Sequence, residues 1–139
     1  MVRALVDTGA VVALVNRADR HHAAAVDWFR GFRGQLLTTD AVVTETAYVL
    51  AASPVHQQAA LLWFERARAA GLLRVEAVED YSVIAGILAR YASLPCDYAD
   101  ASLIALAERS GLSVIATIDQ RDFSVYRIQG RKRFRIVLG

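Results

Sequence analysis

Short runs of aliphatic and β-branched residues alternate with segments whose apolar residues repeat at helical spacing. This alternation constrains the fold more than any other feature of the chain. Val2-Arg3-Ala4-Leu5-Val6 reads as a strand ending in Asp7-Thr8-Gly9, with a helix predicted from Ala10. From about Arg20 a second helix places Ala24, Ala25, Trp28, Phe29 and Phe32 on one face, and Gly31 and Gly34 mark its end. Leu36-Leu37-Thr38 reads as a brief strand, after which Thr39 or Asp40 caps a helix through Ala52. Pro54 suits a first helical turn, and that helix carries Ala60, Leu61, Phe64 and Ala67 before stopping at Gly71. Further strands are predicted at 72–78, 114–117 and 134–138, and further helices at 79–92 and 97–110. The pattern predicts one α/β domain over 1–139, with a central, mainly parallel sheet of about five strands and helices on both faces. In such sheets ligands bind beyond the carboxyl ends of the strands, so function is to be sought there.

The single cysteine, Cys96, excludes a disulfide framework within the chain and fits a reducing compartment. The longest apolar run, 9–15, falls far short of the roughly 20 residues of a membrane span. Met1-Val2-Arg3 leads into a strand rather than a signal peptide, so the expectation is a soluble cytoplasmic domain with no membrane contact. The formal charge of +2 hides an asymmetry. Residues 127–139 hold Arg127, Arg131, Lys132, Arg133 and Arg135 and no acid, whereas the first 126 residues carry 11 basic and 14 acidic groups. A basic end on an acidic body fits an anionic partner, or else a solvated edge strand.

Several acids fall where a site would form. Asp7 ends the first strand and Asp119 lies just beyond 114–117, so parallel strands bring both to one rim. Glu45 sits in the helix after the second strand, between Thr44 and Thr46. Asp97 and Asp100 are three apart at a helix start and share a face. Two carboxylates about 4 Å apart repel by about 4 kcal/mol at an effective dielectric near 20. Lys132, the one lysine, lies in the basic tail and cannot neutralise them. The natural neutraliser is a divalent cation, and an all-oxygen set selects Mg²⁺ or Mn²⁺ over zinc. Singly, each acid has a plainer reading: Asp7 as a turn residue, Asp97 as an N-cap, Asp100 as a helix-dipole partner, Asp122 as a turn or salt-bridge residue.

Four segments together resemble the PIN domain family, and within it the VapC-type toxins of bacterial toxin–antitoxin pairs. They are Leu5-Val6-Asp7-Thr8-Gly9-Ala10, Thr44-Glu45-Thr46, 96–103 from Cys96 to Leu103, and 116–123 from Ala116 to Phe123. The resemblance covers almost the whole chain and places the family's acidic quartet on Asp7, Glu45, Asp100 and Asp119. It implies a metal-dependent endoribonuclease, inhibited by a cognate antitoxin protein and often a homodimer. On that reading Asp7 and Asp100 are the chief ligands of Mg²⁺ (or Mn²⁺). Glu45 and Asp119 are direct or water-mediated ligands, with Glu45 the candidate to orient the attacking water. Thr8 and Thr117 are candidates to hydrogen-bond the acids or phosphate, and Asp97 is a further supporting residue.

An RNA substrate also needs phosphate contacts, for which Arg121 is the prime candidate. Arg131, Lys132, Arg133 and Arg135 are expected to extend its groove or to meet a partner. Tyr98 and Phe123 are the aromatics placed to stack on bases, against the alternative of packing. The aromatic second and fourth helices (Trp28, Phe29, Phe32, Trp63, Phe64) are expected to pack and to leave a groove for a partner helix. His21, His22 and His56 show no metal-ligand spacing, and Walker and Gly-x-Gly-x-x-Gly motifs are absent. The competing reading is a non-catalytic RNA- or partner-binding module on the same fold.

Overall fold

A computed structural model describes residues 2–138. Five strands form one fully parallel sheet: β1 (Arg3–Val6), β2 (Gln35–Thr39), β3 (Leu73–Glu76), β4 (Val114–Thr117) and, last in the chain, β7 (Arg135–Leu138). Their order is β3-β2-β1-β4-β7, with Leu5 beside both Leu37 and Ile115. A two-stranded antiparallel hairpin, β5 (Arg127–Ile128) and β6 (Lys132–Arg133), stands apart from the sheet.

Seven helices surround the sheet: α1 (Thr8–Val15), α2 (His22–Gly31), α3 (Asp40–Val49), α4 (Pro54–Ala69), α5 (Tyr81–Arg90), α6 (Tyr98–Ser110) and α7 (Gln120–Val125). Strand residues alternate between two cores, as a period of two requires. Leu5, Leu37 and Ile115 pack with α5, α6 and α7, where Ile84, Ile87, Leu103, Ile104 and Phe123 are buried. Ala4, Val6, Leu36 and Ala116 pack on the other face with Val11, Ala60 and Phe64. The second core is closed by edge-on and stacked contacts among Trp28, Phe29, Phe32, Trp63 and Phe64. Among the described residues no helix is long and apolar enough to cross a membrane.

The predicted α/β sheet is the observed one, with two additions. α7 has six residues, too few for a helical repeat to show in sequence, and β5 and β6 have two each. α1 begins two residues before its predicted start, directly after Asp7. Gly9 sits where an added Cβ would lie 2.9 Å from Ile118 Cγ1, so the glycine lets the chain leaving β4 close on the start of α1.

Candidate active site

Three acids stand where the chain enters a helix. Asp7 caps α1, its Oδ1 accepting the Ala10 N–H at 3.0 Å. Asp97 caps α6, accepting the Asp100 N–H at 2.8 Å, and Asp100 Oδ2 accepts the Asp97 N–H at 3.5 Å in a reciprocal capping box. Asp119 caps α7, accepting the Asp122 N–H at 3.1 Å. The parallel sheet brings Asp7 and Asp119 to its carboxyl edge on neighbouring strands, and α3 presents Glu45 beside them.

All four predicted acids line one open cavity of about 360 Å³, together with Thr8, Asp97 and Asp122. Its wall holds six carboxylates and, among the described residues, no basic side chain. Asp122 is therefore more than a turn residue: it stands in the first turn of α7 facing the same cavity, and has no salt bridge among the described residues.

The electrostatics follow from burial. Burial pushes Asp7 up to about 6, assisted by the charges of Asp119 and Asp97 and opposed by hydrogen bonds from Thr117 and Ala10. Burial and the neighbouring Asp97 carboxyl push Glu45 up to about 7. The Thr8 hydroxyl approaches Glu45 closely enough to moderate that rise but falls short of hydrogen-bond geometry. Burial and the Asp97 charge push Asp100 up to about 8. Burial and the side chain of Asp119 also raise Asp122.

Two side chains position these acids. The Thr117 hydroxyl donates to Asp7 Oδ2 and accepts the Asp119 N–H at 2.9 Å. Tyr126, fully buried, donates its hydroxyl to Asp100 Oδ2 at 3.1 Å. Sequence reasoning named Thr117 and missed Tyr126. The signal was the three-residue step from Phe123 to Tyr126, which brings both rings to one side of α7, where they meet edge to face.

Other expectations are corrected. Phe123 is fully buried against Tyr126 and Phe134, so it cannot stack on a base, whereas Tyr98 is exposed. Glu108, at the opposite end of α6 from Asp97 and Asp100, meets Arg90 at 3.6 Å and accepts the Gln129 N–H. Arg131, Lys132, Arg133 and Arg135 do not extend the acidic cavity. Arg135 enters β7 beside Val114, at the amino edge of the sheet, opposite Asp7 and Asp119. Arg121 is exposed and lines an adjoining cavity with Asp119 and Asp122.

A family model for the PIN domain matches residues 4–128. The chain belongs to the PIN domain family. Within the family it is similar to Ribonuclease VapC26 of Mycobacterium tuberculosis (strain ATCC 25618 / H37Rv), at 28% identity over 133 residues, 96% of this chain and 98% of that one. Its PIN fold is also that of the Mycobacterium tuberculosis toxin VapC20, described as cleaving the sarcin-ricin loop. That match has a TM-score of 0.74 and 23% identity, covering 85% of this chain and 91% of that one. PAE2754 from Pyrobaculum aerophilum shares the fold at TM-score 0.58 and 20% identity, covering 98% of this chain and 90% of that one.

The acid set of this PIN domain fits a hard divalent cation. Every side-chain donor is oxygen, burial and neighbouring carboxylates push Asp7, Glu45 and Asp100 up, and the buried Thr8 hydroxyl has no hydrogen-bond partner among the described residues. The acids ring the cavity rather than converge. Among the described residues no three His, Cys, Asp or Glu side chains form a ready cage. An open ring suits Mg²⁺, which keeps several of its waters.

Proposed function

We propose that this chain is a metal-dependent endoribonuclease, the toxin of a toxin–antitoxin pair, hydrolysing RNA phosphodiester bonds in the cytoplasm as one nuclease domain over 1–139. The observation that carries the reading is the cavity walled by six carboxylates, with Asp7 only 6% exposed and, among the described residues, no basic side chain in the wall itself. Asp7 and Asp100 would hold Mg²⁺ (or Mn²⁺), with Glu45 and Asp119 as further direct or water-mediated ligands. When bound, the ion supplies an activated water and neutralises charge on the phosphate.

The chain's own groups do the remainder. Thr117 fixes the Asp7 carboxylate and the start of α7 together. Glu45, in the cavity wall beside Asp7 and Asp97, would orient the attacking water and take its proton on a carboxylate oxygen. The Thr8 hydroxyl is free to donate to phosphate. Arg121, exposed beside Asp119 and Asp122, contacts the RNA backbone.

A cavity of about 490 Å³ between α1, α2 and α4, lined by Leu14, Val15, Phe29 and Trp63 together with Arg30 and Arg66, suits an apolar segment of the cognate antitoxin that also carries an acid. Exposed Tyr48, Val49 and Val55, where α3 meets α4, suit a second copy of the chain in a homodimer.

The test is cleavage of total cellular RNA by partner-free protein in Mg²⁺, Mn²⁺ or EDTA, with Asp7→Asn and Asp100→Asn alongside. Discrete metal-dependent cuts, lost in both variants, are expected. Folded protein that binds RNA in EDTA and never cuts it would replace this reading with a non-catalytic binding module.

A further inference from the structure

The basic end of the chain forms a surface of its own. All five sheet strands are parallel, so Asp7 and Asp119 mark one edge and the residues entering β4 and β7 mark the other. The Arg135 N–H donates to Ser113 O at 2.7 Å. Ser113 precedes β4 and Asp119 follows it, so the four residues of that strand, at roughly 3.3 Å each, set them at least about 13 Å apart. The β5–β6 hairpin carries Arg131, Lys132 and Arg133 to that same end. Its turn packs on the last turns of α6, where Arg131 and Lys132 border a cavity with Glu108, Gly111 and Leu112.

These four cations are exposed, and none has a salt bridge among the described residues. Glu108, the carboxylate beside them, is engaged by Arg90 and the Gln129 N–H. Arg3, opening β1, and Arg33, two residues before β2, continue the row. With strands about 4.8 Å apart, the row from β2 to β7 runs about 14 Å along the edge. Three of its four C-terminal members are guanidiniums, which grip phosphate with paired donors. All four lie beyond 4–128, the stretch that matches the PIN family.

We propose that this amino edge of the sheet is a second RNA-binding surface, holding backbone phosphates at the opposite end of the sheet from the acidic cavity. The proposal rests on the ribonuclease reading and extends it. The substrate is an RNA long or folded enough to reach both ends, because a dinucleotide over the acids touches only one. Like charges crowded on an edge repel one another, and a polyanion relieves that repulsion while releasing its own counterions.

The experiment compares wild type with Arg131→Gln/Lys132→Gln/Arg133→Gln/Arg135→Gln, and with a variant carrying lysine at the three arginines. Equal melting temperatures establish that the folds are intact. Binding of a long folded transcript is measured in EDTA across a KCl series, and cleavage of that transcript and of a dinucleotide is measured with Mn²⁺. The glutamine variant is expected to bind the transcript at least ten-fold more weakly at low salt. Four lost phosphate contacts at about 0.7 each should shrink the log–log salt slope by nearly three. Its kcat/KM should fall at least ten-fold more on the transcript than on the dinucleotide, and the lysine variant should keep most of the affinity. Wild-type affinity and slope in the glutamine variant would overturn the proposal, as would loss of a protein partner with RNA binding intact. If wild type cuts neither substrate, the ribonuclease reading fails, and the EDTA binding arm alone decides the edge.

Discussion

The Thr117 hydroxyl donates to the Asp7 carboxylate, 110 residues distant in sequence, and in the same position accepts the Asp119 N–H. One side chain on β4 thereby keeps the acids of two neighbouring strands in a fixed relation. Thr117→Val removes both bonds while keeping the shape. Loss of such a supporting partner costs about 10- to 100-fold in metal affinity or activity. The expected outcome is a rise of that order in the Mn²⁺ concentration giving half-maximal cleavage, with Thr117→Ser restoring most of it. An unchanged Mn²⁺ requirement in Thr117→Val would show that Asp7 needs no such support.

Asp100→Asn should abolish cleavage and yet melt at a higher temperature than wild type in EDTA at pH 8. It removes a carboxylate that burial and Asp97 already disfavour as an anion. For a domain of this size one kcal/mol corresponds to a few degrees of melting temperature. A lower melting temperature would mean that the capping box with Asp97 outweighs the repulsion.

The raised acids set the sign of the pH dependence. Asp7, Glu45 and Asp100 stand at about 6, 7 and 8 when folded, against 3.8, 4.5 and 3.8 ordinarily. Between those limits the folded protein holds more protons than the unfolded chain, so stability falls as pH rises through the window. The melting temperature in EDTA should decline from pH 5 to pH 8.5, and Mn²⁺ should reverse most of that decline. A melting temperature rising from pH 5 to 8.5 in EDTA would contradict the assignment.

Tyr126→Phe deletes the hydroxyl that holds Asp100 partly ionised. The Asp100 pKa should move further up, so Mn²⁺ affinity should drop several-fold at pH 7 and recover at pH 9. A loss independent of pH would instead indicate displacement of α7.

Much of this arrangement was legible in the residues themselves. Leu5-Val6-Asp7 announces a buried strand ending in an acid, and the alternation of strands and helices forces Asp119 onto the same rim. Glu45 and the Asp97/Asp100 pair stood out by position, but choosing Asp100 over Asp97 for the quartet needed the family resemblance. The cavity roles of Asp122 and Tyr126 were harder to read, because α7 is too short for more than the single step from Phe123 to Tyr126 and its partners are distant in sequence. The position of the basic residues was hidden for a related reason. Gln129 and Gly130 turn the chain at φ 53° and 72°, and that small hairpin, invisible to strand patterns, sends Arg131–Arg133 away from the acids.

Asp7, Asp97 and Asp119 each begin a helix as well as line the cavity. A helix start offers roughly half a positive charge from its own backbone. The negative wall is thus partly answered from within, by peptide groups and retained protons, before any ion arrives. Asparagine caps a helix about as well as aspartate. A chain disarmed at Asp7 or Asp119 by that single change therefore keeps its architecture and, with it, every surface its partners would meet.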